Sequence, residues 1–163
     1  MALVQVRGLV KRYADAGGTV DVLSGLDLEL EAGDSLALMG RSGSGKSTVL
    51  NLLCGLEMAD QGCIGVSGRV FRGSSGRYSA DENRSWADLR RRAIGMVFQD
   101  ANLMPALSLL ENVRFRARLA GQREQVARDW LERLGIGELV ERYPDQVSGG
   151  QRQRAALAMA FAM

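Results

Sequence analysis

The run GRSGSGKST, from Gly40 to Thr48, carries the residues best suited to chemistry in this chain. From Gly40 to Ser47 it fits Gly-x-x-x-x-Gly-Lys-[Ser/Thr], the spelling of a phosphate-binding loop. A polyphosphate is bulky and anionic, so several backbone N–H groups must turn inward on it. Gly40, Gly43 and Gly45 lack a Cβ, which lets the backbone take φ > 0 and approach closely. Arg41, Ser42 and Ser44 fill the loop between them. Lys46 can carry a point charge to the outer phosphates, and the Ser47 hydroxyl stands where a Mg²⁺ ligand is needed, next to Thr48. A helix beginning here would add its positive dipole end to the anion site.

A second cluster, Val147-Ser148-Gly149-Gly150-Gln151, has similar logic. Ser148 suits a helix N-cap, and two glycines bare the backbone N–H groups of the helix that follows. Alone, Ser-Gly-Gly reads equally well as an ordinary turn and cap.

The elements that must position these groups can be read around them. SLALM (35–39) is an apolar run of strand length, and VLNLLCGL (49–56) reads as a helix; strand, glycine loop and helix is the order a phosphate loop requires. Leu3–Val6 and Val22–Leu30 alternate apolar with polar, as strands with one wet face do, with a turn-rich break at Asp15–Gly18. Asp60–Val66 reads as a turn and strand. Arg69–Tyr78, rich in Arg, Gly and Ser, reads as a surface excursion. Ser79 and Glu82 form a capping box for a helix reaching Ala93, and Ser108 and Glu111 form another before LLENVRFRARLA. IGMVF (94–98) reads as a buried strand leading to a polar loop at Gln99–Asn102. Gln122–Leu134 carries helical spacing with Trp130 as a core residue, and Gly135 stops it. A short segment from Glu138 to Tyr143 ends at Pro144.

Composition narrows the partners. The chain has 163 residues, is 46% hydrophobic and carries a net charge of +2. That is one domain's length with enough apolar material for a core and no electrostatic demand for nucleic acid. The basic run Arg90–Arg92 reads as a solvated helix face. The chain has no histidine, and Cys54 and Cys63 stand outside any ligand motif. This argues against a transition-metal site and fits two small core thiols in a reducing compartment. No run approaches the roughly 18 apolar residues of a membrane span, and MALVQVRGLVKRY lacks a signal-peptide core, so a cytoplasmic location is expected.

Taken together, the motifs resemble the ATP-binding subunit of an ABC transporter, in order from Leu3 to Ala162. GRSGSGKST is similar to the family's Walker A, and VSGGQ to its signature motif. Gln99 in VFQDANLMP falls at the Q-loop glutamine, and SLLENV (108–113) has the family's look. Tyr13 in VKRY matches the aromatic that stacks on adenine, although it also reads as a strand-end aromatic packing on its own sheet. Within the family the chain is most similar to bacterial exporters of the lipoprotein-releasing and macrolide-efflux type.

The resemblance implies an α/β fold. A P-loop NTPase core, a mostly parallel sheet flanked by helices, carries an N-terminal antiparallel β subdomain and an α-helical signature subdomain. The β subdomain and phosphate loop are expected over 1–66, and the Q-loop and helical signature subdomain over 94–151. It implies ATP and Mg²⁺ as ligands, with Gly40–Thr48 on the phosphates and Ser47 and Gln99 near the metal. Lys46 and Gln99 are the expected catalytic residues. Ser148, Gly149, Gly150 and Gln151 would approach the ATP of a second subunit. The implied partners are a second copy in a homodimer and a transmembrane permease subunit, with the chain on the inner face of the membrane, driving export. The family's next elements, a strand ending in Asp-Glu and a switch histidine, do not occur within these residues, and Met159 stands where the signature helix usually has Arg. The chain is therefore read as a partial ATP-binding domain, with AALAMAFAM expected to lie bare and hydrolysis expected to be impaired.

Overall fold

The computed structural model describes residues 2–15, 18–74 and 77–163. Part of the expected break at Asp15–Gly18 (residues 16 and 17) and part of the Arg69–Tyr78 excursion (75 and 76) lie outside the described residues. The chain divides into two units, Met1–Trp86 and Ala87–Met163.

The first unit is built on a four-stranded sheet of order β2-β1-β3-β4. The strands are β1 (Val4–Asp15), β2 (Gly18–Leu30), β3 (Gln61–Val66) and β4 (Arg69–Arg72). All neighbours are antiparallel, with Val4 opposite both Leu30 and Val66, and Tyr13 opposite Val20. β1 runs well beyond the alternating stretch Leu3–Val6, because β2 pairs with it as far as Asp15 while β3 pairs with it only to Val10. Register shifts between Val6 and Leu9 let both side chains turn inward despite their odd spacing; both are fully buried. Helix α1 (Lys46–Leu53) follows the glycine loop and buries Val49 and Leu52.

The Arg69–Tyr78 stretch is more structured than its composition suggests. Phe71 on β4 is buried and stacks on Trp86 at 3.9 Å between ring centroids, with Tyr78 6.1 Å from the same indole. A Cβ on Gly55 would fall 2.1 Å from the Trp86 ring, so the backbone presses on the indole as only glycine permits. Helix α2 (Ala80–Arg92) carries Trp86 and begins at the expected capping box. Ser79 N–H donates to the Glu82 carboxylate at 2.9 Å, and Glu82 N–H donates to Ser79 Oγ at 3.2 Å. The Ser79 N–H first, and then the Ser79 hydroxyl donating at 2.8 Å, hold the Glu82 carboxyl below its ordinary range.

The second unit is helical. Its core joins α3 (Leu109–Ala120), α4 (Gln125–Arg133) and α5 (Gly149–Phe161) through Leu109, Val113, Leu131, Ile136 and Ala158, all fully buried. Ser108 and Glu111 close the expected capping box on α3, and Gly135, at φ +68°, follows the end of α4. Trp130 is partly buried against the core and stacks on Phe161 at 4.7 Å. Asn112 is wholly buried, yet its amide is satisfied: Nδ2 donates to the Met104, Leu107 and Ser108 carbonyls, and Oδ1 accepts from Met104 N–H at 2.7 Å. It pins the segment that leads from Gln99 into α3.

Three expectations need correction. Residues 35–39 and 94–98 join no ladder among the described residues, whose sheet is the expected N-terminal antiparallel one. A strand exists only through its neighbours, and Leu36, Met39, Val97 and Phe98 are exposed rather than packed between layers. Cys54 and Cys63 are half-buried rather than core residues. The tail AALAMAFAM is not bare: Ala155, Ala158 and Ala162 are fully buried in the helical core, although Phe161 is half exposed.

Candidate functional site

In the first unit the glycine loop folds as an anion cradle. Gly43 and Gly45 take φ of +81° and +85°, so the chain turns through the left-handed region immediately before α1. At Gly45 a Cβ would also meet Val22 Cγ1 at 2.8 Å, so glycine is required there twice over. Gly45 is the N-cap of α1 and supplies no capping side chain. The first-turn N–H groups therefore keep their hydrogen-bonding capacity for an incoming acceptor. A hollow of about 310 Å³ opens there, lined by Val22, Ser42, Gly43 and Gly45 through Thr48. Lys46 arches back over the loop: its Nζ donates to the Gly40 and Arg41 carbonyls at 2.9 and 2.7 Å and to Ser44 Oγ at 3.2 Å. These are exposed acceptors that a phosphate oxygen can replace with a full negative charge.

Tyr13 comes to the same place from β1. Its hydroxyl donates to the Glu57 carboxylate and lies 3.5 Å from Thr48 Oγ1. Partial burial, then the bond to Glu57, raises its pKa above the ordinary 10.0. Tyr13 as a whole is 37% exposed.

In the second unit Ser148 caps α5 as expected. Its Oγ accepts from Gln151 N–H, while the Gln151 side chain accepts from Ser148 N–H at 2.8 Å. Gly149 and Gly150 occupy the first turn, and both are exposed. A Cβ at Gly150 would meet nothing within 4 Å, and one at Gly149 only Arg152 Nη2 at 3.8 Å. Among the described residues, packing calls for glycine at neither position. Glycine costs roughly 0.5–1 kcal/mol against alanine inside a helix. Gln99 is exposed at the end of the 94–98 run, and Gln153 Nε2 of α5 donates to the preceding Phe98 carbonyl at 3.1 Å.

The structure thus joins Tyr13 to Thr48 of the glycine loop within the first unit, and the residue before Gln99 to α5 within the second. Two groups escaped the sequence reading. Glu57 gave no signal in a short turn. Gln153 lay in plain sight in the QRQR that follows the two glycines.

The family model for ABC transporter matches residues 23–163. The chain belongs to the ABC transporter family. The cassette is 39% identical over 164 residues to the lipoprotein-releasing system ATP-binding protein LolD of Xanthomonas campestris pv. campestris, covering 98% of this chain and 66% of that protein. It is 41% identical over 166 residues to the macrolide export ATP-binding/permease protein MacB of Nitrosomonas europaea, covering 98% of this chain and 24% of that one. The exporter likeness read from the motifs is borne out by these two relatives. Among solved structures, a dimeric ATP-binding cassette in a post-hydrolysis state bound to ADP and Pi superposes with a TM-score of 0.83 at 30% identity, over 98% of this chain and 69% of that one. A dimeric bacterial ABC transporter cassette superposes with a TM-score of 0.84 at 29% identity, over the same shares. The fold is accordingly the mixed α/β cassette of the P-loop NTPases. The chain spans about two thirds of the length of the LolD proteins it matches.

Proposed function

We propose that this chain is the ATP-binding part of an ABC exporter, coupling ATP binding and hydrolysis to transport. The observation that carries the reading is the N-terminus of α1: no side chain caps it, Gly45 turns through φ +85°, and Lys46 lies over the loop. That is a site made for a polyphosphate.

In this reading Gly40, Arg41, Ser42, Gly43, Ser44 and Gly45 wrap the β- and γ-phosphates with backbone N–H groups. Lys46 exchanges its two loop carbonyls for phosphate oxygens. Tyr13 offers its exposed ring to the adenine. Ser47 and Gln99 present hard oxygen donors of the kind Mg²⁺ prefers. When bound, the ion neutralises phosphate charge as the γ-phosphoryl group is transferred. Gln99 would also orient the attacking water.

Ser148, Gly149, Gly150 and Gln151 would meet the γ-phosphate of ATP held by a second copy, so that a twofold homodimer makes two equal sites. The glycines that the chain's own packing does not require support this, as does the dimeric description of both solved relatives. No helix among the described residues is long and apolar enough to cross a membrane. The proposed location is peripheral, on the cytoplasmic face of a membrane, docked on a transmembrane permease subunit and without a nucleic-acid partner.

The test is a titration with a fluorescent ATP analogue beside a phosphate-release assay, on the wild-type chain and on Lys46→Ala. Saturable binding weakened by the substitution is expected. A folded wild-type chain with no nucleotide affinity overturns the proposal, and binding without phosphate release confines the chain to a nucleotide-binding role.

A further inference from the structure

Tyr13 raises a physical question. The residue is more than one-third exposed, so packing alone does not fix it. An aromatic that must be stilled when a base arrives costs affinity. Here the ring is already held at its far end. Tyr13 Oη donates to one carboxylate oxygen of Glu57, and the other oxygen accepts from Asn51 Nδ2 of α1 at 2.8 Å. The turn carrying Glu57 is folded back onto the same helix, with Leu56 N–H on the Asn51 carbonyl at 2.9 Å. Tyr78 Oη donates to the Glu57 carbonyl at 3.3 Å. Lys11 Nζ, anchored on the Met58 carbonyl at 2.8 Å, lies 5.1 Å from the Tyr13 ring centroid.

We infer that Glu57 is a positioning residue for nucleobase recognition: bridging Asn51 of α1 and the Tyr13 hydroxyl, it sets the aromatic platform at a fixed place relative to the phosphate loop. This rests on the nucleotide-binding reading above. The helix whose N-terminus receives the phosphates is the helix that, through Asn51 and Glu57, holds the base-stacking ring. Phosphate cradle and base platform are therefore built as one rigid pair. The raised pKa of Tyr13 agrees, because the hydroxyl stays a donor to the carboxylate through neutral pH.

The experiment compares ATP with inorganic tripolyphosphate, which has the phosphates without the base, by calorimetric titration of the full chain. Glu57→Ala is expected to weaken ATP about three- to tenfold, the value of one hydrogen bond, and to leave tripolyphosphate affinity unchanged. Tyr13→Phe keeps the ring but removes the hydroxyl. It should lose ATP by a similar factor, and the double variant should lose no more than either alone. Unchanged ATP affinity in Glu57→Ala, equal losses for both ligands, or multiplying effects of the two substitutions would each overturn the inference. If circular dichroism shows Glu57→Ala unfolded, Tyr13→Phe with the two ligands decides by the same criterion. A wild-type chain that binds tripolyphosphate but not ATP refutes base recognition alone; one that binds neither refutes the nucleotide reading as well.

Discussion

Gln153 Nε2 donates to the Phe98 carbonyl at 3.1 Å, so the helix that begins with Ser148-Gly149-Gly150 holds the backbone immediately before Gln99. The close approach of the two segments is independent of that bond: a Cβ on Gly95 would come within 2.6 Å of the Ala160 carbonyl. Gln153→Ala should loosen the Gln99 segment without melting α5. Amide hydrogen exchange over 98–101 is expected to quicken about three- to tenfold, in proportion to one lost hydrogen bond. Unaltered exchange there would count against the tether.

Lys46→Ala should separate binding from stability. The lysine contacts only exposed loop acceptors, so its loss should change the unfolding free energy by less than about 0.5 kcal/mol. Nucleotide affinity should fall at least tenfold, as charge-assisted phosphate contacts are removed. Urea unfolding and nucleotide titration on the same preparation check both halves.

Gly150→Ala should make the protein more stable and less active. The position is helical and has open space for a methyl group. A gain of about 0.5–1 kcal/mol is expected in denaturant unfolding. On the proposed dimer, phosphate release and ATP-dependent dimerisation should fall, because the new Cβ would stand where the second copy's nucleotide is proposed to approach. A variant that is stabilised and fully active would remove the reason offered for this glycine.

Asn112→Ala should be costly. It takes a partner from the part-buried Met104 N–H and Leu107 carbonyl, while the Met104 and Ser108 carbonyls keep the Leu107 and Asn112 N–H groups. A loss of about 1–3 kcal/mol in urea unfolding is expected, since unmade hydrogen bonds away from water carry a desolvation penalty.

Tyr13 predicts a pH effect. Its folded pKa lies above the ordinary 10.0, so its contribution to stability is complete below about 10 and is lost as the pH rises through the folded value. The tyrosinate absorbance difference between wild type and Tyr13→Phe should therefore appear at higher pH than for a free tyrosine. A normal titration would show that the hydroxyl is not engaged by Glu57.

Much of this was legible in the sequence because it is local. The phosphate loop and the capping boxes at Ser79/Glu82 and Ser108/Glu111 each lie within a few residues, and their chemistry is self-contained. Residues 35–39 and 94–98 read as strands by composition, but composition does not supply the neighbour that a ladder needs. Phe71 was hidden in a polar stretch, since its burial depends on Trp86, 15 residues further on. Glu57 meets Tyr13 across 44 positions of sequence, a distance no motif spans.

The cap on α5 makes position 148 more demanding than a helix start alone requires. Asp caps a helix as well as Ser does, so an aspartate at Ser148 would leave α5 intact while setting a negative charge against any phosphate brought to that end. Many residues can begin this helix; few can begin it and still welcome an anion.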